Sequence, residues 1–550
     1  MQIGIVVSYV RWIYHGESYD TSDDDISIDE VDGANDDLND DDLDEMLNNI
    51  GQILHLKTTS GWSIKSFDAL LDIFRKALPT PSLVPKNFYE AKKYICDLGF
   101  QGEKIHACVK DCVLYRKDYA SHTHYPNDDC KEPRFSGNDL KVPRKVLRYF
   151  PLKPRLQRLF IDKQVACDMR WHKEKRVDDD NIVRHPADTE AWKHLDKEFP
   201  SFSIDPRNIR LGLATDGFNP FGNNSHSIWP VFVVPYNLPP WKCPLSPGIN
   251  IHVYLQPLID ELNELWVGVN AYDALRNETF TLRAALLWTI NNFPAYGMLS
   301  GWSVKGYNAC PTCIDETSSR YLTHSKKMCY MGHRRFLPAS NKWRRDKKNF
   351  DGTVDMREPL TPKSRNEILA YIDMFSNSRQ RKSKEDRQGW KKKSVFFKLP
   401  YWAKLKLRHN TDIMHYVKNV TESLTATLFN IKNKTKDTWK SRKDLMDEGL
   451  KKGLRLQPDG NSFIMPMACY HLTKEEKRKI LDVLKSLKFP DGFASNISRC
   501  IKGGGGGGFQ LSHMKSHDFY VFIQRLLPLS IRGCLTKEVR LVLYELSEFF

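Results

Sequence analysis

Residues 210–222, RLGLATDGFNPFG, give the clearest indication of how the middle of the sequence folds. An apolar run ends there at Asp216 and passes into a segment rich in Gly, Asn and Pro, which is typical of a strand that ends in a turn. A second apolar and β-branched run, IWPVFVVPYN at 228–237, follows that segment. The two runs predict short strands of one sheet.

The residues that follow predict helices between the strands. VYLQPLIDELNELW at 253–266 has the spacing of an amphipathic helix, and FTLRAALLWTINNF at 280–293 fits either a strand or a helix. Strands interrupted by helices are typical of the α/β class with a mixed sheet. Further amphipathic helices are predicted at 61–78, 88–100, 406–429 and 472–489, and in the last of these Thr473 and Glu476 are placed as a capping box.

Charge divides the chain into an acidic segment and a basic remainder. Between Glu17 and Glu45 there are 15 acidic residues and no Lys or Arg, so the remaining sequence carries 83 basic residues against 53 acidic ones, a net charge of +30. The acidic segment has too few apolar residues to fold and predicts a disordered linker. The basic remainder favours a polyanionic partner, DNA or RNA, although solvated Lys and Arg faces are an equal alternative.

The class of protein is further limited by what the sequence lacks. No run approaches the ~18 apolar residues of a membrane span, and the N-terminal IGIVVSYV has no small-residue cleavage site after it. Twelve cysteines in 550 residues fit reduced thiols and metal binding better than a disulfide framework. We therefore expect an intracellular protein without a membrane partner.

Two groups of cysteine and histidine residues predict structural zinc. In the first, Cys310 and Cys313 form a Cys-Pro-Thr-Cys motif, and Cys329 and His333 follow with three residues between them. Two paired ligand sets at this separation are typical of tetrahedral zinc sites, and buried free cysteines are the alternative. The second group is less regular, with Cys108 and Cys112 as a pair followed by His122, His124 and Cys130.

Two basic runs are candidates for nucleic-acid binding. KWRRDKK at 342–348 and RQRKSKEDRQGWKKK at 379–393 each contain a tryptophan among cations, which suits phosphate contact with base stacking. Nuclear-import signals and solvated loops are equal alternatives. The candidate contact residues are Arg344, Arg345, Lys347, Lys348, Lys391 and Lys392.

Carboxylates occur at two further positions where they could bind a metal. Asp216 stands where a strand ends, although an Asp that accepts backbone hydrogen bonds in a turn is the commoner reading. In LRHNTDIMHYVKNV at 407–420, the predicted helix would place His409, Asp412 and Tyr416 on one face. That density of polar groups indicates a site, and histidines satisfied within the core are the alternative.

Many strings in order resemble one family. WIYHGE, GWSIKSF, KVLRYFPLKPRLQRLF, RLGLATDGFNPFG, WPVFVVPYNLPPW, LLWTINNFPAYGMLSGWSVKGYNACPTC, YMGHRRFLP and LRHNTDIMHYVKNV resemble the plant CACTA-superfamily DNA transposases. The resemblance extends from about residue 10 to the end. It implies a DDE-type enzyme with an RNase H-like core, in which three acids hold two Mg²⁺ ions for phosphodiester cleavage and strand transfer.

Carried over residue by residue, the family's acids are only partly present. The first falls on Asp216, the second on Asn292, and the third on Val417. Asp412, which matches the family, is the alternative metal ligand. Because one carboxylate cannot place two Mg²⁺ ions against a phosphate, the resemblance predicts impaired catalysis. Such a chain is either an impaired transposase or a non-catalytic, domesticated remnant that binds zinc and DNA.

The resemblance also implies an organisation, a partner and a location. The expected partner is DNA at transposon ends, with a homo-oligomer also possible, and the expected location is the nucleus. The chain looks truncated, because most of the family's N-terminal domain is missing. The predicted segments are a remnant of that domain at 1–16, an acidic linker at 17–56, a helical Cys-His region at 57–205, the first part of the core at 206–338, a basic linker at 339–400, and the helical remainder at 401–550.

Overall fold

The computed structural model describes most of the chain from residue 50 onwards. Outside the description are residues 1–49, 55, 58–59, 79–83, 96–101, 126–129, 138–141, 179–182, 218–228, 240–252, 312, 361–362, 364, 378–388, 461, 490–496, 503–509, 512–513 and 515. The predicted N-terminal remnant and nearly all of the acidic linker therefore lie outside the described residues. Residues 50–54, at the end of the predicted linker, are helical.

The chain divides into two compact units. The first comprises Met1–Thr289 with Ser394–His409, and the second comprises Ile290–Lys393 with Asn410–Phe550.

Besides the helical residues 50–54, the first unit contains eight described α-helices and eight strands that lie wholly within it. The helices are α1 (Ile64–Ala77), α2 (Phe88–Ile95), α3 (Leu152–Arg158), α4 (Lys163–Asp168), α5 (Trp171–Glu174), α6 (Glu190–Glu198), α7 (Pro200–Ser203) and α8 (Gln256–Val267). The strands are β1 (Glu103–His106), β2 (Phe135–Ser136), β3 (Val142–Pro143), β4 (Val146–Tyr149), β5 (Ile209–Thr215), β6 (Val231–Pro235), β7 (Val269–Asp273) and β8 (Glu278–Leu282).

Two strands, β9 (Ala284–Asn291) and β12 (His409–Thr411), begin in the first unit and end in the second. The described helices of the second unit are α9 (Phe293–Ser300), α10 (Lys342–Arg345), α11 (Arg365–Asn377), α12 (Ile413–Leu428), α13 (Trp439–Asp447), α14 (Lys474–Ser486), α15 (Ser516–Val521), α16 (Leu527–Ser530) and α17 (Lys537–Phe549). Its strands form hairpins, β10 (Ser319–Leu322) with β11 (Lys327–Tyr330), β13 (Gln457–Asp459) with β14 (Ser462–Ile464), and β15 (Ile501–Lys502) with β16 (Gln510–Leu511).

The main sheet has four strands in the order β12-β9-β5-β6. Strands β5 and β6 pair in antiparallel fashion, with Leu211 opposite Pro235 and Thr215 opposite Val231. Nearly every residue of β5 and β9 is buried, as expected of central strands that are covered on both faces. The two strands predicted from 210–222 and 228–237 are confirmed, and the ambiguous segment at 280–293 forms the strands β8 and β9.

Strands β9 and β12 run in the same direction. The Thr289 N–H donates to the Arg408 carbonyl at 3.0 Å, and the Asp412 N–H donates to the Asn291 carbonyl at 2.8 Å. Residue numbers increase in the same direction on both strands from the first bond to the second, which is the register of parallel strands. The main sheet is therefore mixed, and the mixture of helices with this sheet agrees with the predicted α/β class.

Most of the predicted helices are confirmed, and one is wrong at its start. Helices α1, α2 and α14 lie where the periodicity placed them, and the reciprocal capping box of Thr473 and Glu476 is present at the start of α14. The segment predicted as a helix over 406–429 begins instead with the strand β12. His409 therefore lies in a strand and does not share a helix face with Tyr416.

Each unit contains a hydrophobic cluster formed by its helices. In the first unit, the side chains of α1 pack with those of residues 50–54 and of α2; the buried members are Ile50, Leu54, Phe67, Leu71 and Ala91. In the second unit, α12 and the C-terminal helices enclose a larger cluster that includes Leu428, Ile480, Phe522 and Ile531. None of the described helices combines the length and the apolar character needed to span a membrane.

Candidate functional sites

A cleft in the second unit begins where β12 passes into α12. Asp412 caps this helix, because one oxygen of its carboxylate accepts the Met414 N–H at 2.9 Å. The backbone N–H of Asp412 is held at the same time by the carbonyl of Asn291, the last residue of β9. Local sequence explains the geometry, since an Asp before an apolar helical run is a preferred N-cap.

The cleft has a volume of about 220 Å³ and is lined by Asn291, Asn292, Phe293, Asp412, His415, Tyr416 and Asn419. Asp412 is the one carboxylate among these residues; the others supply amides, an imidazole, a phenol and a phenyl ring. The side-chain oxygen of Asn292 accepts the Ala295 N–H at 2.9 Å and so caps α9. Within the described residues, the cleft therefore offers a divalent cation a single negative charge.

Val417, to which the resemblance assigned the third acid, lies in α12 but does not line the cleft. Its side chain is fully buried, at 0% exposure. It shares the buried side of the helix with Thr421, Thr425 and Leu428. The side chains of Tyr416 and Asn419 reach the cleft from the same helix.

Asp216 directly follows β5 in the first unit. It is half-buried, and its carboxylate accepts the N–H of Gly217 at 2.7 Å. This bond goes to the next residue, whereas an aspartate that forms a turn accepts the N–H two residues on. The turn reading and the metal role therefore both stay predictions. Residues 218–228, which contain the rest of the NPFG segment, lie outside the described residues.

The more regular Cys-His group is not gathered into a metal site. The Cys313 N–H donates to the Cys310 sulfur at 3.3 Å, and burial together with Cys310 raises the pKa of Cys313 to about 12. Cys329 lies in β11 with its sulfur 3.6 Å from that of Met331. No three of the ligand atoms of Cys310, Cys313, Cys329 and His333 lie within 4.8 Å of one another. Zinc at this group stays a prediction.

The less regular group does contain a cluster. The sulfur atoms of Cys108, Cys112 and Cys130 all lie within 4.8 Å of one another, and those of Cys108 and Cys130 are 3.6 Å apart. Zinc binds thiolates at about 2.3 Å, which places two sulfurs of one tetrahedron about 3.8 Å apart. A disulfide would need a separation of about 2.05 Å. The three thiols can therefore hold a metal ion such as zinc.

A tight turn after β1 supplies the first two of these cysteines. The Cys108 N–H donates to the Val113 carbonyl and the Asp111 N–H to the Cys108 carbonyl, each at 3.0 Å. Asp111 takes a positive φ of 60° to close the turn. Cys108 is buried and Cys112 exposed, so the cluster reaches from the interior to the surface.

The electrostatic surroundings of the thiols differ. The backbone N–H of Glu132, with the neighbouring thiols, lowers the pKa of Cys130 below its usual range. Desolvation, followed by the proximity of Cys130 and Cys108, raises the pKa of Cys112 to about 11. The pKa of Cys130 is thus lowered and that of the neighbouring Cys112 is raised. A bound cation would favour the thiolate form of both.

The predicted nucleic-acid contacts fall into two structural groups. Arg345, Lys347, Lys348, Lys391 and Lys392 are exposed. Arg344 is buried at 2% exposure, and its guanidinium donates to the backbone carbonyls of Leu337 and Asp355 at 2.8 Å each. In this conformation Arg344 stabilises its own loop and does not face solvent. The first part of the second basic run, 379–388, lies outside the described residues.

Three of the cleft residues, Asn291, Phe293 and Asn419, were not anticipated from the sequence. Asn291 and Asn419 line the cleft, yet neither belongs to a motif with a recognised spacing. The signal that was available is the pair of asparagines at the end of an apolar run, directly before the Phe-Pro that opens α9. Polar residues where a buried strand passes into the next element are candidates for a site.

Comparison with known proteins gives one match. Residues 180–375 match the family described as Transposase family tnp2. This span is about a third of the chain and includes β5, β6, α8 and β9. The match supports a transposase-like function and, with it, DNA binding. No match was found among curated proteins or among solved structures.

Proposed function

We propose that this chain is a DNA transposase-like protein of the CACTA superfamily whose metal-dependent cleavage of DNA is impaired. The tnp2 match and the ordered CACTA-like strings support the family assignment. The net charge of +30 outside the acidic segment supports a DNA partner, at the ends of a transposon. A nuclear location and a homo-oligomer belong to the same proposal.

The proposal includes an RNase H-like core of the DDE type. In support of it, the main sheet is mixed, with an antiparallel pair at one side and a parallel pair at the other. Helix α8 precedes β9 in the chain, and α12 follows β12. Asp216 directly follows β5, Asn292 directly follows β9, and Asp412 directly follows β12.

The proposed impairment is supported by the surroundings of Asn292 and Val417, the two substituted positions. The Asn292 oxygen already accepts a helix-capping hydrogen bond, and an amide has no negative charge to offer a cation. Val417 is fully buried and provides no ligand. Two Mg²⁺ ions a few ångströms apart need several carboxylates to offset their mutual repulsion. One or two carboxylates do not meet that requirement.

A cleavage assay tests the proposal. The full chain is incubated with supercoiled plasmid and Mg²⁺ or Mn²⁺, beside Asp216→Ala and the double variant Asn292→Asp with Val417→Glu. We expect the wild type to nick no faster than Asp216→Ala, because the acid set is already incomplete. Metal-dependent nicking by the wild type that is lost in Asp216→Ala would contradict the impairment. The double variant tests whether acids at these two positions restore cleavage.

A non-catalytic protein that binds zinc and DNA is the second candidate. The cluster of Cys108, Cys112 and Cys130 favours it, because a metal site that supports folding does not depend on the catalytic acids. In this case the plasmid is retained in a salt-sensitive manner by wild type and by every acid variant alike. Retention without cutting distinguishes a DNA-binding remnant from a protein that has lost both functions.

A further inference from the structure

We propose that His122 completes a closed Cys₃His zinc site with Cys108, Cys112 and Cys130. The proposal concerns the folding of the first unit and does not rest on the transposase function. Structural zinc takes four protein ligands in a tetrahedron, whereas three ligands leave a position open for water or a substrate. Three thiols are already gathered, so the identity of the fourth ligand decides what kind of site this is.

His122 is placed for this role by its position and by one vacant nitrogen. It lies in the loop between Cys112 and Cys130, just after the short 3-10 helix Lys117–Tyr119. Its Nδ1 is buried and makes no hydrogen bond within the described part of the chain. A buried ring nitrogen without a partner costs free energy, and metal coordination would remove that cost.

The His122 ring is connected to the thiol cluster through Tyr119. The two rings pack edge to face, with centroids 5.7 Å apart. Tyr119 in turn packs against the small buried group that contains Cys108 and Cys130. The ring nitrogens of His122 lie outside the 4.8 Å group formed by the sulfurs, so coordination requires the side chain to turn towards them.

The other described histidines nearby are already engaged. His124 is exposed, and its Nδ1 lies 3.1 Å from the hydroxyl of Thr123. The Nδ1 of His106 accepts the Arg134 Nε–H at 2.9 Å. Each of these side chains would have to give up a formed interaction before it bound a metal through that nitrogen.

Two described carboxylates beside the thiols are also engaged, and a third, Asp118, is exposed. Asp111 is paired with Lys145 and with the hydroxyl of Tyr254. Glu132 lies 2.6 Å from the guanidinium of Arg144 and 3.2 Å from the ammonium of Lys110. Moving either carboxylate to a zinc ion would leave a cation unpaired, which favours His122.

A metal at this position would stabilise a segment whose own hydrophobic core is small. Among the described residues, the buried group here contains Cys108, Val113, Tyr115 and Cys130, with two partly buried tyrosines against it. So small a group contributes little hydrophobic stabilisation. Zinc would join the turn after β1 to the residues before β2 and would supply folding free energy in its place.

The test uses the full chain and single substitutions at this site. Zinc content and competitive zinc affinity are measured for wild type, His122→Ala, His124→Ala and Cys130→Ser, and Co²⁺ replaces zinc for absorption spectra. We expect Cys130→Ser to lose one zinc per chain and His122→Ala to bind more than about tenfold more weakly. His124→Ala, the matched control two residues away, should behave as wild type.

The variant His122→Cys keeps the proposal falsifiable if His122→Ala misfolds. A cysteine can also bind zinc, so it should restore the affinity and shift the Co²⁺ spectrum from three thiolates and one imidazole towards four thiolates. A ring that only packs against Tyr119 would give neither result. The proposal is overturned if Cys130→Ser retains all of its zinc, or if the spectra of His122→Cys and wild type coincide.

Discussion

The backbone N–H of Asp412 donates to the carbonyl of Asn291 at 2.8 Å, which joins the start of α12 to the end of β9. The carboxylate of Asp412 turns back at the same point to cap its own helix through Met414. One residue thus fixes the direction in which the helix leaves the sheet and supplies the single negative charge of the adjacent cleft.

Replacement of Asp412 should separate its capping role from its charge. Asp412→Ala removes the acceptor for the Met414 N–H and should lower the stability of the second unit by about 1 kcal/mol. Asp412→Asn keeps an acceptor and should lie within a few tenths of a kcal/mol of wild type. Thermal unfolding followed by circular dichroism compares the two. Equal loss in both variants would show that the negative charge, and not the cap, stabilises the helix.

Gly301 should be intolerant of a side chain. It ends α9 with a φ of +78°, and an added Cβ would lie 2.1 Å from the carbonyl oxygen of Lys392. Gly301→Ala should therefore cost at least about 2 kcal/mol. Gly352→Ala is the matched control, because Gly352 has a φ of +82° with nothing within 4 Å of the added Cβ.

For Gly352→Ala we expect only the conformational strain of about 1 kcal/mol. The difference between the two variants in thermal unfolding isolates the clash with the Lys392 backbone. If Gly301→Ala and Gly352→Ala lower the stability by the same amount, the close approach of the Lys391–Lys392 segment to the end of α9 is not maintained in solution.

His172 should make the first unit sensitive to acid. Burial, with the nearby Arg210 charge, lowers the pKa of His172 from 6.5 to about 3. Because this folded pKa lies below the unfolded value, the unfolded chain binds more protons between pH 6.5 and pH 3, and stability falls as the pH falls. The expected loss between pH 7 and pH 5 is roughly 2 kcal/mol.

His172→Phe tests this origin of the acid sensitivity. The ring packs against Trp192 with centroids 5.3 Å apart, and its Nδ1 has no hydrogen-bond partner among the described residues, so a phenyl ring can occupy the site. The variant should lose less stability than wild type between pH 7 and pH 5. Unchanged pH dependence in chemical unfolding would show that other groups are responsible.

The exposed cations at the end of α10 and just after it should contribute to DNA affinity in a salt-dependent way. Replacing Arg345, Lys347 and Lys348 together by alanine should weaken binding to any duplex and lower the salt slope by about 0.9 for each lost phosphate contact. Binding is measured by fluorescence anisotropy at several salt concentrations. Lys451→Ala, at another exposed lysine of the second unit, is the control.

Arg344→Ala should behave differently from its neighbour Arg345→Ala. The guanidinium of Arg344 is buried and donates to backbone carbonyls of the surrounding loop. Removing it leaves those acceptors without this donor. We expect a loss of thermal stability with no specific change in the salt slope. A lowered slope with unchanged stability would return Arg344 to the DNA-binding group.

The sequence predicted the sheet well because its evidence is local. Apolar, β-branched runs bounded by turn residues gave β5 and β6, and the spacing of apolar residues gave α1, α2 and α14. The start of α12 was missed because periodicity does not locate a boundary, and the short strand β12 depends on pairing with β9, which is distant in the chain. The cap at Asp412 was the local signal that could have corrected it.

Candidate metal sites were harder to predict from the sequence. The regular spacing of Cys310, Cys313, Cys329 and His333 favoured a site there, yet the three thiols that lie together belong to the less regular group. Spacing along the chain describes the ligands that a single hairpin or knuckle can bring together. Cys130 joins Cys108 and Cys112 through the tertiary path of a 17-residue loop, which spacing alone does not encode.

The proposed impairment follows from an incomplete set of acids for two divalent ions. It is tested by Mn²⁺ binding to the full chain, measured by electron paramagnetic resonance in the presence of duplex DNA. We expect no tightly bound pair of Mn²⁺ ions and no difference between wild type and Asp216→Ala. A coupled pair of Mn²⁺ ions in the wild type, abolished by Asp216→Ala, would contradict it.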